Sequence, residues 1–246
     1  MAAETMERTN RTESERSVLR WGGLAGLIGG IIFVISIGYQ VGVLGTQTTA
    51  PGDGPVIRFP SVQTQIIVGQ TLFLAATVLL VPLLLGLYRA LRGSSLAAGF
   101  FGTGLSFLGV AVLAVESEPN VAMASISAQY HAAGATAAQQ ATAVQLWQAT
   151  QGMFNEYDTC AFAFLSVGLI VLGTAMMRSP AFGRAVGGVS SAIGVAGLVG
   201  LALFAVTSAS FSIFGLLTFV VFPVLLGWKL YQLSTAKETP TPPAPA

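Results

Sequence analysis

Residues 185–228 contain no charged side chain, and this stretch limits what the chain can fold into more than any other feature. A helix rises about 1.5 Å per residue and the hydrocarbon core of a bilayer is about 30 Å thick, so about 20 apolar residues cross it once. The stretch is too long for one crossing and fits two. We therefore predict two membrane-spanning helices, 185–206 and 211–228, with a break at the polar residues 207–210.

Four further apolar runs precede this stretch, and each is long enough to span a bilayer. Only 9% of the residues are charged, against about 25% in soluble domains, so lipid must be the solvent for much of the surface. No ten-residue alternation typical of barrel strands appears. The predicted fold is an all-α, polytopic membrane protein with six transmembrane helices. The first four spans are 21–44, 62–88, 96–115 and 159–177.

The ends of the chain differ in composition from this membrane domain, which we place at 20–232. Residues 1–19 are polar and are expected to be disordered or to form a short surface helix, and the Pro-rich tail 233–246 is expected to be disordered. The first span is interpreted as a retained signal-anchor, because its apolar region exceeds the 7–15 residues usual for a cleaved signal peptide.

Basic residues give the predicted orientation, because lysine and arginine concentrate in cytoplasmic loops. With six spans, all of the 11 Lys and Arg residues except Arg58 fall on one side of the membrane. We therefore expect both termini in the cytoplasm of a bacterium, with the protein in its inner membrane. The ten residues on that side are Arg8, Arg11, Arg16, Arg20, Arg89, Arg92, Arg178, Arg184, Lys229 and Lys237, of which Arg89, Arg92, Arg178 and Arg184 lie in the short turns.

Several function classes are disfavoured by what the spans lack. No Asp, Glu, Lys, Arg or His lies near the predicted bilayer centre, where pumps and many coupled transporters keep such groups. One cysteine, Cys160, and one histidine, His131, cannot form a zinc site. The net charge of +1 gives no case for nucleic acid. We expect no metal and no cofactor, and His131 is expected to be a solvated loop residue.

Acidic residues gather at the predicted outer rim: Glu116, Glu118, Glu156 and Asp158. Carboxylates meeting there would form a cation or polar-ligand site, since oxygen ligands suit Ca²⁺ and Mg²⁺. The alternative is that Glu156 and Asp158 only favour the positive N-terminus of a helix. A membrane-embedded enzyme would need Asp158 or Glu116 as its acid, and this hypothesis ranks last.

Small residues recur at helical spacing in two spans, as Gly22, Gly26 and Gly30 and as Gly183, Gly187 and Ser191. This spacing permits close helix contact, which we interpret as packing within the chain rather than dimerisation. Pro82 and Pro223 lie within spans and are predicted to kink them, since proline removes a backbone hydrogen bond.

The predicted outer loop 116–158 is long enough to hold structure of its own. Apolar and amphipathic side chains in it recur near helical spacing, which predicts a helix lying on the membrane surface or one that caps the bundle. These residues are Val144, Trp147, Gln151 and Phe154.

The sequence around residues 162–199 carries one recognisable pattern: Leu172-Gly173, then Arg178-Ser179, a short turn, Arg184 and the Gly-rich stretch around Gly187. This pattern resembles a bacterial membrane family known only as domain of unknown function 4386. The resemblance implies an integral bacterial membrane protein, and it implies no activity and no functional residues.

Taken together, these features predict a non-catalytic membrane protein that binds a partner, a lipid or a small molecule. The alternative is a carrier or channel for a small neutral or apolar solute, since an uncoupled route needs no buried charge. The bilayer itself is the expected partner, no nucleic acid is expected, and a homo-oligomer or another membrane protein is left open.

Overall fold

A computed structural model describes residues 2–44, 54–116, 118–207 and 217–236, with side chains over 13–39, 54–116, 122–204 and 217–236. Within these ranges the regular structure is entirely helical. The helices are α1 (Ala2–Leu44), α2 (Gly54–Leu91), α3 (Leu96–Val115), α4 (Glu118–Tyr130), α5 (Ala137–Arg178), α6 (Gly183–Thr207) and α7 (Phe222–Thr235), the last preceded by a π-helical turn, Leu217–Val221.

Six helical segments of the described chain are long and apolar enough to cross a membrane, which confirms the all-α fold and the predicted number of candidate spans. Two of them exceed the predicted spans. Helix α2 starts at Gly54 and α5 at Ala137, rather than at residues 62 and 159. At about 1.5 Å per residue, the 42 residues of α5 extend about 63 Å, roughly twice the thickness of a hydrocarbon core.

The N-terminal segment is helical in the structure, where α1 begins at Ala2 and continues unbroken into the first span. Glutamate and arginine are good helix formers, so a polar segment joined to an apolar helix can extend it by whole turns. The predicted break at 208–210, the start of the sixth span at 211–216 and residues 237–246 of the predicted tail lie outside the described residues.

The helices pack as neighbours with alternating directions. Helix α1 contacts α2 and α7, α2 contacts α3, and α5 lies between α3 and α6. Gly102 of α3 lies against Leu172 of α5, whereas Gly109 lies against Leu165, so these two helices are antiparallel. Because the start of α3 lies beside the end of α5, the α2–α3 turn and the α5–α6 turn, which carry arginines, lie at the same end of the bundle. We call this end the arginine end.

Glycines form the closest helix contacts. A Cβ atom on Gly22 would lie 2.7 Å from the carbonyl oxygen of Pro82 in α2, and one on Gly26 would lie 2.8 Å from the carbonyl oxygen of Pro223. Only glycine permits such backbone approach. The interpretation that these glycines pack within the chain is therefore confirmed. Gly183 is a correction: it adopts φ +77° at the start of α6, and it forms a turn instead of a contact.

The two prolines behave differently from each other. Pro82 lies inside α2, which continues through it as an α-helix. Pro223 follows the π-helical turn Leu217–Val221 at the start of α7. Since proline leaves the carbonyl four residues earlier without its helical partner, a wider turn next to Pro223 accommodates the interrupted bonding. Such turns are frequent at functional sites.

The end opposite the arginines, called here the cap end, carries a small domain of α4 and the first turns of α2 and α5. Val56, Ile126 and Ala143 form its core, and the rings of Phe59 and Trp147 meet edge to face at 5.2 Å. Val144 and Trp147 pack against this core. The structure therefore favours the capping interpretation of the outer-loop helix, which is continuous with the fourth span.

Candidate functional site

Two carboxyl groups meet where the cap joins the bundle. Glu116 comes directly after α3, and its backbone N–H still donates to the carbonyl of Val112 at 3.0 Å. Asp158 lies on α5, and the two carboxyl groups are close enough to interact electrostatically. Because α3 and α5 are antiparallel neighbours, the end of one is placed beside the middle of the other, and the two acids meet.

The Glu116 side chain is almost fully enclosed. Only 3% of its surface is exposed, and its Oε2 atom has no hydrogen-bond partner among the described residues. A buried polar atom without a partner costs about 1–3 kcal/mol, and more when it is charged. This unpaired oxygen therefore marks a place where a donor or cation would be bound favourably.

Burial raises the pKa of Glu116 to about 9, and the negative charge of Asp158 raises it further in the same direction. Two carboxylates in contact cannot both stay ionised, because their charges repel strongly away from water. A proton is consequently held between Glu116 and Asp158 at neutral pH, and the pair carries one negative charge rather than two.

The other two predicted rim residues do not join the pair. Glu156 is exposed, and it is two residues from Asp158, which places it on the opposite side of α5. The side chain of Glu118 lies outside the described side chains, although its backbone begins α4. Over the described residues no group of three or more His, Cys, Asp or Glu side chains is arranged to hold a metal ion.

His131 and Cys160 are the other side chains that could take part in catalysis. His131 is exposed, as expected, at the end of α4, where its Nδ1 lies 2.8 Å from the carbonyl oxygen of Ser127. Cys160 is a free thiol on the exposed side of α5. Neither contacts a partner suited to nucleophilic catalysis.

Buried hydroxyl groups inside the bundle are a feature that the sequence analysis missed, because it searched the spans only for ionisable groups. The hydroxyl oxygens of Thr77, Thr103, Ser166 and Thr218 are buried without a hydrogen-bond partner among the described residues. Helical hydroxyls often donate to a carbonyl in the preceding turn, as Ser106 does to Gly102 at 2.9 Å. Serine and threonine near the span centres were the available signal.

Thr218, which carries one of these hydroxyls, is among the residues that line a small cavity in the centre of the bundle. The cavity holds about 10 Å³ of free space, enough for about one water molecule. Thr218 and Phe219 of the π-helical turn line it, and so does Ser106 of α3. The exposed surface of the cavity is apolar. Its other lining residues are Leu80 and Leu84 of α2, Val110 of α3, Leu165 and Leu169 of α5 and Phe222 of α7.

The four arginines that were predicted to determine the topology lie at the arginine end. Arg89 and Arg92 both form an ion pair with Glu15 of α1, Arg92 at 3.4 Å. These ion pairs hold the region of the α2–α3 turn against α1. Arg178 and Arg184 are exposed on either side of the α5–α6 turn.

Comparison of the chain with protein-family models, with curated proteins and with solved structures gave no match.

Proposed function

We propose that this chain is a multi-pass protein of a bacterial inner membrane that acts by binding a small cation at the Glu116–Asp158 pair. The arginine end would face the cytoplasm, since arginine-rich ends stay on that side, and the cap end would face outward. In this orientation the carboxyl pair is reached from outside the cell. Membership of the family that the 172–187 pattern resembles stays a prediction.

The observation that supports binding is the Oε2 atom of Glu116, which has no hydrogen-bond partner among the described residues. The Glu116 residue is buried, with only 3% of its surface exposed. A cation that displaced the shared proton would be attracted by two carboxylates in a poorly solvated place, where charge interactions are stronger than in water. Catalysis has less support, because the described residues bring no base or nucleophile to the pair.

Thermal unfolding of the purified protein in detergent tests this proposal, with Na⁺, K⁺, Mg²⁺, Ca²⁺ and methylammonium each added at neutral pH. We expect one of these cations to raise the melting temperature of the wild type. Glu116→Gln and Asp158→Asn should lose the effect.

Glu156→Gln is the matched control, since it removes an exposed carboxylate from the same helix and should keep the full cation response. If none of the five cations stabilises the wild type, or if Glu116→Gln responds as the wild type does, the binding site is not at this pair.

A carrier for a small neutral solute is the second candidate, and the π-helical turn beside the central cavity favours it. A wider turn next to Pro223 provides a place where α7 can bend. Stopped-flow light scattering on proteoliposomes exposed to a glycerol gradient measures such flux. Flux no faster than in empty vesicles would reject the carrier hypothesis for solutes of this size.

A further inference from the structure

A groove lies between the first and last helices at the arginine end. Its walls come from one face of α1 and from the last turn of α7, and it encloses about 590 Å³ of free space. We call it the α1–α7 groove. The residues that line it are Glu13, Arg16, Ser17, Arg20, Trp21 and Leu24 of α1 and Tyr231, Ser234 and Thr235 of α7.

Close packing of glycines produces this groove. A Cβ atom on Gly23 would lie 2.7 Å from the backbone nitrogen of Tyr231, and one on Gly227 would lie 2.7 Å from the carbonyl oxygen of Gly23. The backbones of α1 and α7 therefore touch just below the groove. Beyond these glycines, longer side chains hold the helices apart and leave the space open.

The polar lining suits a phosphate group. Arg16 and Arg20 are exposed and lie four residues apart, so both project from the same face of α1. Guanidinium groups bind phosphate oxygens through paired hydrogen bonds, and the Ser17 hydroxyl can donate as well. The hydroxyls of Ser234 and Thr235 donate instead to carbonyl oxygens of their own helix. Glu13 is the one carboxylate in the lining, so the groove keeps a net positive charge.

Arg20 differs from the arginines of the α2–α3 turn, which are both paired with Glu15. Among the described residues Arg20 has no ion-pair partner, and it lies at the point where the polar part of α1 meets its apolar part. An arginine in this position is available to an anion from the membrane surface.

The apolar lining continues from the groove toward the bilayer. Trp21 is 67% exposed, and the rings of Trp228 and Tyr231 are stacked 6.4 Å apart on α7. Aromatic rings of this kind mark the level of lipid headgroups. Leu24, Ile28 and Ile31 follow on the same face of α1 at helical spacing, and the two isoleucines are about half exposed.

From this combination we infer that the α1–α7 groove binds an anionic phospholipid, with its phosphate at Arg16 and Arg20 and an acyl chain along Leu24 and Ile28. Basic pockets between helices at a cytoplasmic membrane surface recognise anionic headgroups by the same chemistry. A free phosphate ion shares the headgroup chemistry but would leave the apolar stripe below it uncovered. This site is separate from the carboxyl pair at the cap end, so either can fail without the other.

Native mass spectrometry of the full-length protein, released from detergent with defined lipids, tests the inference. Phosphatidylglycerol and phosphatidylcholine with identical acyl chains are titrated against the wild type. We expect phosphatidylglycerol to be retained at least tenfold more strongly. The double variant Arg16→Gln/Arg20→Gln should bind both lipids equally.

Arg178→Gln/Arg184→Gln is the control, because it removes the same charge from two exposed arginines at the same end of the bundle. It should bind phosphatidylglycerol as the wild type does. Ser17→Asp is a second groove variant that keeps both arginines, and its added carboxylate should weaken phosphatidylglycerol retention even if the double variant fails to fold.

Three results would overturn the inference. Equal retention of the two lipids by the wild type would show that the headgroup charge is not recognised. Equal losses in the groove variant and the control would show a general charge effect. Displacement of bound phosphatidylglycerol by millimolar inorganic phosphate would show a site for the free ion instead of the lipid.

Discussion

The contact between α5 and α6 gives the sharpest test of how this bundle is held together. A Cβ atom added to Gly187 would lie 2.5 Å from the carbonyl oxygen of Gly173 and 2.5 Å from the backbone nitrogen of Met177. One added to the next residue, Gly188, would meet nothing within 4 Å. Gly187→Ala and Gly188→Ala are therefore matched variants at neighbouring positions of one helix.

The expected magnitude follows from these distances. Ordinary contact needs about 3.4 Å, so α5 and α6 must separate by about 1 Å to admit the methyl group of Gly187→Ala. Overpacking of this kind costs about 1–3 kcal/mol. Replacing glycine by alanine in a helix contributes about 0.5–1 kcal/mol of stability, but this gain is common to both variants and cancels in their comparison.

We therefore expect Gly187→Ala to be about 1–3 kcal/mol less stable than Gly188→Ala. Reversible unfolding in mixed micelles, with the denaturing detergent titrated and helicity followed by circular dichroism, measures this difference. The wild type should lie between the two variants or close to Gly188→Ala. Equal stability of the two alanine variants would refute the close α5–α6 contact.

Three further predictions concern the pair, the cap and the α5–α6 turn. The pKa of Glu116 is raised to about 9 from 4.5, so between these values the folded state holds a proton that the unfolded chain releases. The contribution of this proton to the stability of the fold is complete below about pH 4.5 and is lost as pH rises toward 9. The melting temperature of the wild type should thus fall more steeply over that interval than that of Glu116→Gln, and parallel profiles would contradict the burial of this carboxyl group. The Thr136 side chain accepts a hydrogen bond from the Gln139 backbone N–H at the start of α5, in a reciprocal capping box. Thr136→Ala should therefore destabilise the start of α5 by about 1 kcal/mol. Amide hydrogen exchange should become faster over 137–147 and should not change in the membrane spans. Gly183 has φ +77° with open space around it, so Gly183→Ala should cost about 1–2 kcal/mol of backbone strain. Gly183→Asn should cost less, since asparagine tolerates this conformation. Equal melting temperatures for the two variants would be inconsistent with backbone strain at this residue.

The acidic residues at the outer rim show which part of the site residue spacing can predict. The sequence predicts one acidic cluster of Glu116, Glu118, Glu156 and Asp158 at the outer rim, and spacing does not show which of them meet. The structure pairs Glu116 with Asp158 and leaves Glu156 exposed on the other side of α5. The pairing depends on the register between α3 and α5, which glycines at 102 and 109 set through contacts with α5, and a register between two helices is not encoded in either one alone.

Helix length was also underestimated from composition. Hydropathy locates the part of a helix that lipid must cover, but it does not indicate where the helix begins in water. Helix α5 continues for about six turns beyond its predicted span, because its N-terminal part is stabilised by the cap core around Val56, Ile126 and Ala143. That stabilisation comes from the neighbouring helix α4 and from residues of α2, which are far away along the chain.

The sequence by itself determined the number of apolar helices, because each uncharged run of about 20 residues has to be covered by lipid or protein. It also indicated which turns share one end, because the arginines between predicted spans, except Arg58, lie at every second connection. The tertiary structure alone decided which residues of different helices meet. Arg20 and Thr235 line one groove although nearly the whole chain separates them, since contacts between helices depend on packing of side chains and backbones that no local pattern specifies.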